Sequence, residues 1–309
     1  MNKLAFIFPG QGSQRVGMGQ DLAKEYDVVA ETFAEANQVL DIDIKELCFS
    51  GPEDKLTETI NTQPAILTTS IAFYRLLAEE GITPDVVAGH SLGEYAALVA
   101  AGVLDFAAGV KLVRKRGELM SQADPEGNGT MAAVIGLDAA EVEEVCDKGS
   151  QYGIVEPANY NCPGQIVISG EKEAVEKTTE LAKEAGARKA VVLNVSGPFH
   201  SSLMESAGEK FADYLEDVEF NQPEIPVVPN VNAEPTTDPQ EIKKALIKQM
   251  SGAVRWEESI EKMIADDVDT FIEVGPNRVL KGFMRRIDRS VTALNVRNQR
   301  SLQKTKKKL

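Results

Sequence analysis

The sequence predicts an α/β protein: a main sheet of mostly parallel strands with helices on both faces, interrupted by a smaller inserted unit. Three observations carry this. Short apolar runs alternate with longer helical stretches over most of the 309 residues. One junction, Gly89-His90-Ser91-Leu92-Gly93, has the G-x-S-x-G pattern between an apolar run and an Ala/Leu-rich stretch. Between residues 126 and 195 the rhythm changes to β-α-β-β-α-β, the split ferredoxin-like order.

Leu4–Phe8 reads as the first buried strand, and the glycine-rich loop Pro9-Gly10-Gln11-Gly12-Ser13-Gln14 follows it. Helical stretches are expected around Gln20–Leu40 and Gln63–Glu80. Val86-Val87-Ala88 is the strand entering the G-x-S-x-G turn, and Leu92–Ala101 is the helix leaving it. Asp105 is placed as the N-cap of a helix running to about Gln122. In the insert, Thr130–Gly136, Ile154–Ala158, Gln165–Ser169 and Lys189–Leu193 read as strands, with helices over Ala139–Lys148 and Glu171–Ala185. The turns Pro125-Glu126-Gly127-Asn128-Gly129 and Ser196-Gly197-Pro198 bracket it. Pro226–Val231, Thr270–Val274 and Val291–Val296 read as strands returning to the main sheet. The expected units are a discontinuous larger one, 1–125 and 196–309, and the insert, 126–195.

A formal charge of −15 argues against attraction to nucleic acid or to an anionic membrane. The charge is uneven, however. Beyond Gly275 lie Arg278, Lys281, Arg285, Arg286, Arg289, Arg297, Arg300 and the tail lysines 304 and 306–308, read either as a solvated face or as a docking patch for an acidic carrier. Cys48, Cys146 and Cys162 are odd in number and widely spaced, which suggests neither a disulfide framework nor a zinc site. The run Leu4–Pro9 is too short for a signal-peptide core, and no stretch approaches a membrane span. The expectation is a cytoplasmic protein.

Strand, sharp turn and helix around Ser91 form a nucleophile elbow, which lifts the hydroxyl into the open and aims the N–H of Leu92 at a developing oxyanion. A serine hydroxyl needs an adjacent base. Of the two histidines, His90 neighbours Ser91 on the turn and should diverge from it, which leaves His200 in Gly197-Pro198-Phe199-His200-Ser201-Ser202. The imidazole could be oriented by Asp213, Asp217, Asp238 or Asp266, or by a backbone carbonyl, since fixing a tautomer needs only an acceptor. The Gly10-Gln11-Gly12 loop suits a second oxyanion donor. On the helix from Asp105, Leu112, Arg116, Leu119 and Met120 share one row, so Arg116 tilts toward the apolar side. A buried arginine calls for an anionic partner, and helix geometry alone leaves a salt bridge and a substrate carboxylate equally open.

These segments closely resemble the malonyl-CoA:acyl carrier protein transacylase family. The resemblance rests on Pro9–Gln14, Thr62-Gln63-Pro64-Ala65, Gly89-His90-Ser91-Leu92-Gly93-Glu94-Tyr95, Arg116-Gly117 and Phe199-His200-Ser201. Ala158-Asn159-Tyr160-Asn161, Pro163-Gly164-Gln165 and Phe271–Pro276 extend it, colinearly to about Val296. The resemblance implies an α/β-hydrolase-like core with a ferredoxin-like insert. It implies that Ser91 is acylated, that His200 is general base and then acid, and that the N–H groups of Gln11 and Leu92 form the oxyanion hole. It further implies that Arg116 clamps the malonyl carboxylate and that the Gln249 carbonyl orients His200. Gln63 and Asn159 would line the pocket, and Phe199 would match malonyl-selective members. Malonyl-CoA would be the donor and carrier-protein phosphopantetheine the acceptor, with no metal or bound cofactor, in a monomer. Ala253 departs from the pattern, where proline is expected.

Overall fold

A computed structural model of the chain describes residues 3–195 and 197–309. Ser196, in the turn expected to close the insert, lies outside the described residues. The chain begins with β1 (Lys3–Phe8), α1 (Gln20–Glu25), α2 (Asp27–Val39), α3 (Ile44–Ser50), α4 (Glu53–Thr57) and α5 (Thr59–Glu79). It continues through β2 (Val86–Gly89), α6 (Gly93–Ala100) and α7 (Phe106–Gln122). A middle stretch holds β3 (Gly129–Ile135), α8 (Ala139–Gly149), β4 (Val155–Cys162), β5 (Gln165–Glu171), α9 (Lys172–Glu184) and β6 (Lys189–Val192). The remainder is α10 (Glu205–Glu216), β7 (Val227–Val228), α11 (Pro239–Gln249), β8 (Val254–Arg255), α12 (Trp256–Ala265), β9 (Val268–Val274), α13 (Val279–Ile287), β10 (Thr292–Val296) and α14 (Gln299–Lys306).

Five strands pair in the order β10-β9-β1-β2-β7, every pair parallel. Alternation along β1 explains why both faces are covered. Phe6 and Phe8 point into the larger apolar core with residues of α2, α5, α6 and α7, while Ala5 and Ile7 face Trp256, Ile260, Leu280 and Met284 of α12 and α13. The second sheet has the order β6-β3-β5-β4-β8. Its first three pairings are antiparallel, and β8 joins β4 in parallel. Ala132, Val134, Ile166 and Ile168 pack on Val142, Val145, Ala174 and Val175 of α8 and α9, whereas Met131 and Val167, on the opposite face, belong to the larger core.

Four details depart from the sequence reading, each for a local reason. The expected helix 20–40 is divided at Tyr26, which is extended (φ −132°, ψ 119°) while its ring packs on the core. The expected strand 226–231 shortens to Val227–Val228, because Pro229 has no N–H to donate and Asn230 turns its polar groups elsewhere. Asp105 sits at the N-cap of α7 but makes no side-chain capping bond. The smaller sheet gains β8 from outside residues 126–195, since Val254 and Arg255 pair with Asn159 and Tyr160. Among the described residues, no helix is long and apolar enough to cross a membrane.

Candidate active site

The β2 strand delivers Ser91 to a turn where its φ is +52°, a left-handed conformation that costs a non-glycine residue free energy and is characteristic of functional positions. The turn is pressed against the end of β1. A Cβ on Gly93 would lie 2.0 Å from the Phe8 carbonyl oxygen, and one on Gly10 would lie 2.4 Å from that of His90. Only glycines allow this approach, which sets the Gly10-Gln11-Gly12 loop directly beside the elbow. Among the described residues, the backbone N–H groups of Gln11 and Leu92 donate to no acceptor. Uncommitted donors facing one position, here a buried Leu92 and an exposed Gln11, are the requirement for an oxyanion site.

His200, also left-handed at φ +60°, lies in the loop between β6 and α10. That loop is anchored to β4 through Ser202, whose N–H and Oγ donate to the two oxygens of Glu156 at 2.8 and 2.9 Å. His200 Nε2 is 2.7 Å from Ser91 Oγ. Its Nδ1 faces the carbonyl oxygens of Gln249 at 2.9 Å and Gly252 at 3.2 Å. Carbonyls only accept, so Nδ1 carries the proton and Nε2 presents its lone pair to the serine hydroxyl. Among the described residues no aspartate pairs with His200 Nδ1; Asp238, for instance, caps α11 by accepting from the Gln240 N–H. His90, the neighbour of Ser91, turns away, with Nε2 2.7 Å from Asn161 Oδ1 and its ring against Trp256.

Burial, assisted by the Arg116 charge, pushes the His200 imidazole down to about 3. The imidazole is therefore neutral across the physiological range, with the Nε2 lone pair free to accept a proton. The rate of serine acylation in the free protein should stay flat as pH falls from about 8 to about 5, and decline only in stronger acid. Single-turnover rates against pH check this, and a decline centred near the usual histidine value of about 6.5 would contradict it.

Arg116 projects from α7 into the same space and is 1% exposed. Nη1 donates to Gln63 Oε1 at 3.0 Å, and Nη2 donates to Gln249 Oε1 at 3.0 Å and to Ser91 Oγ at 3.2 Å. The guanidinium also lies over the Tyr95 ring at 5.3 Å. Its hydrogen-bond partners are thus two neutral amides and a hydroxyl; among the described residues no carboxylate is paired with it. The Glu94 carboxyl reaches Arg116 only through Gln249: its Oε2 accepts from Gln249 Nε2 at 2.8 Å and from the Asn230 N–H at 2.9 Å. Burial raises that carboxyl to about 7, so it is only partly ionised near neutrality. Arginine stays protonated, and a buried cation held by neutral groups is poised to receive an anion.

Ser91, His200, Arg116, Gln63 and Gln249 therefore converge, and the Gln11 loop lies beside them. The Gln11 side chain points outward to Thr59 Oγ1 at 3.2 Å. Asn159 is buried on β4 opposite Val254, but no hydrogen bond joins it to Ser91, His200 or Arg116 among the described residues. Phe199 is buried in the main core rather than displayed toward solvent. Three contacts lay outside the sequence reading: the Gln249 side chain, Glu94 and Asn230. Only Glu94 had a local signal, as the residue following the elbow. The others reach the site across more than 130 residues.

Against known proteins, the acyl transferase domain family matches residues 5–308. The malonyl CoA-acyl carrier protein transacylase of Bacillus subtilis (strain 168) is 49% identical over 304 residues, covering 98% of this chain and 96% of the relative. A crystal structure of an acyl carrier protein S-malonyltransferase from Vibrio cholerae superposes with a TM-score of 0.96 at 48% identity, covering 98% of this chain and all of the other. A malonyl-transacylase solved in complex with a type II polyketide acyl-carrier protein superposes with a TM-score of 0.97 at 45% identity, over the full length of both chains.

Proposed function

The chain belongs to the acyl transferase domain family, and from that premise we propose that it moves a malonyl group from malonyl-CoA to the phosphopantetheine thiol of an acyl carrier protein, supplying fatty acid synthesis. The observation that carries the malonyl assignment is the Arg116 guanidinium, buried beside the nucleophile and held by amides instead of a carboxylate. A simple ester hydrolase has no use for such a cation in its acyl pocket.

In the first half-reaction Ser91 Oγ attacks the thioester carbonyl while His200 Nε2 takes the hydroxyl proton. The Gln11 and Leu92 N–H groups stabilise the tetrahedral oxyanion, each such donor contributing about 3–4 kcal/mol. The C–S bond breaks, and the proton passes from His200 to the departing coenzyme A sulfur. In the second half-reaction the carrier thiol gives its proton to His200 and attacks the serine ester, and Ser91 recovers the proton. Throughout, the free carboxylate of the malonyl group displaces Ser91 Oγ as a partner of Arg116 Nη2 in a fork that matches its planar donors. Gln63 and Gln249 keep the fork aligned. Asn159 and Phe199 are assigned to the pocket wall. The strand order β6-β3-β5-β4 supports a ferredoxin-like insert over 126–195, within an α/β-hydrolase-like core over 1–125 and 196–309. Intact-mass measurement after adding malonyl-CoA, then carrier protein, tests the scheme: one malonyl adduct should form and then vanish as the carrier gains it. A persistent adduct lost only to water would overturn the transferase reading.

Docking of an acidic carrier is assigned to the basic face of α13, β10 and α14. Lys281, Arg285, Arg289, Lys304 and Lys308 line one cleft there, and Arg278, Arg297 and Arg300 extend it. Arg286 is engaged differently, donating to the Pro163 carbonyl and to Gln165 Oε1, which ties α13 to the smaller sheet. Arg285→Glu is therefore the cleaner probe. It should raise the KM for carrier protein about tenfold at low salt, with less effect at high salt and none on the KM for malonyl-CoA. Steady-state kinetics at two ionic strengths check this.

A further inference from the structure

The elbow of this protein is held by a residue that plays no part in the chemistry just described. Asn230 is fully buried, in the loop that leaves β7 after Pro229. All four of its polar groups are engaged. Oδ1 accepts the Ser91 N–H at 2.6 Å, and Nδ2 donates to the Gly89 carbonyl at 2.6 Å. Its own N–H donates to Glu94 Oε2 at 2.9 Å, and its carbonyl accepts the Arg255 N–H at 2.9 Å. The side chain thus spans the turn on both sides of the nucleophile. Its backbone fastens that turn to α6 and to β8 of the smaller sheet.

We propose that Asn230 is a positioning residue of the acyl-transfer centre, its carboxamide holding Ser91 in the left-handed conformation that points Oγ at His200 Nε2 and Arg116 Nη2. The inference rests on the acyl-transfer reading of Ser91. Two geometrical facts support it. The left-handed turn rotates the Ser91 N–H away from the helical pattern, into a buried place where it needs an acceptor, and Asn230 Oδ1 is that acceptor. With that N–H taken, the Leu92 N–H is the donor the turn leaves for an oxyanion. A carboxamide is also the group that fits, since one atom must accept and the other donate within one planar unit. Leucine has the size but neither function, and aspartate when ionised has no donor for Gly89.

Asn230→Ala and Asn230→Asp, in the full-length protein, test this by two reactions. One is acylation by malonyl-CoA. The other is phosphonylation by a fluorophosphonate, which forms an Oγ–P bond with loss of fluoride and reports serine activation whatever the natural acyl group. Asn230→Ala should slow both about 100-fold, with the KM for malonyl-CoA changed by less than about threefold. Rates within about threefold of wild type in both reactions would overturn the proposal. If the unaltered protein reacts with the fluorophosphonate but not with malonyl-CoA, the malonyl reading fails alone and the phosphonate rates still judge Asn230. Should Asn230→Ala not fold, Asn230→Asp decides. A protonated aspartic acid restores one donor and one acceptor; the ionised form, against Gly89 O and beside Glu94, does not. Its rate relative to wild type should therefore climb at least tenfold as pH falls through the range in which the fold is retained by circular dichroism. A flat ratio would overturn the proposal.

Discussion

Ser91→Ala should abolish the malonyl adduct and lower transfer about 10⁶-fold, the scale on which removal of a serine nucleophile acts when its base remains. The argument is one of substitutes. His200 Nε2 faces Ser91 Oγ at 2.7 Å, and among the described residues no second hydroxyl or thiol is hydrogen-bonded to that nitrogen. Ser201 Oγ is buried and donates to the Pro198 carbonyl at 2.6 Å, and Ser13 Oγ is similarly committed to the Gly10 carbonyl at 2.7 Å. The three cysteines are free and buried, and burial raises each thiol, Cys162 to about 11 and Cys146 to about 12, with Cys48 raised further. None supplies a thiolate near neutral pH. What survives in the variant is the oxyanion site and the substrate pocket, which together leave a residual rate of about 10³–10⁴ over water. Intact mass after malonyl-CoA reads the result directly. An adduct of unchanged yield on any other side chain would remove Ser91 from the mechanism.

The features that were legible in the sequence are those encoded within one turn of chain. Gly89 to Gly93 announces its own geometry, because the glycines are demanded by backbone contacts only a few residues away or across one strand pair. The parallel sheet could be read from apolar runs because both of its faces are covered. Arg116 could be placed on a buried face by helical period alone, but the character of its surroundings could not. Of the two partners left open, a salt bridge within the protein or a substrate carboxylate, no protein carboxylate pairs with Arg116 among the described residues; an amide cradle holds it, built from α5 and from the end of α11, 53 and 133 residues away. On the residues alone the identity of the orienting group for His200 was open for the same reason, and only the family resemblance implied the Gln249 carbonyl. A carbonyl leaves no mark on the residue that bears it, and none of the four available aspartates stood in a revealing context. Asn230 and β8 were missed because each belongs to a segment of two or three residues whose conformation is set by what it touches rather than by its own propensity. Local signals therefore singled out Ser91 and His200, whose side chains the structure brings together, and tertiary contacts supplied the groups around them.

Arg116→Ala is expected to reduce acylation by malonyl-CoA about 100- to 1000-fold while changing acylation by acetyl-CoA about tenfold or less. Acetyl and malonyl thioesters present the same carbonyl to Ser91 and differ in the distal carboxylate, so the ratio of the two losses isolates the contact with the guanidinium. Loss of the arginine leaves that carboxylate to be buried against Gln63 and Gln249 without a cation. That is the costly outcome for a charge taken from water. Lysine should not rescue the ratio fully, since a point charge cannot reproduce the two parallel bonds of a planar fork. The same variant carries a second expectation of definite sign. Arg116 disfavours the charged form of His200 and is the second cause of its depression after burial, so its removal should raise the imidazole from about 3 toward the ordinary value. Burial persists, so the rise should stop short of about 6.5, and the acid limb of acetyl transfer should move upward by a corresponding amount. Equal losses for both acyl groups, with no movement of the acid limb, would mean that Arg116 serves packing alone, and the malonyl assignment would lose its physical basis.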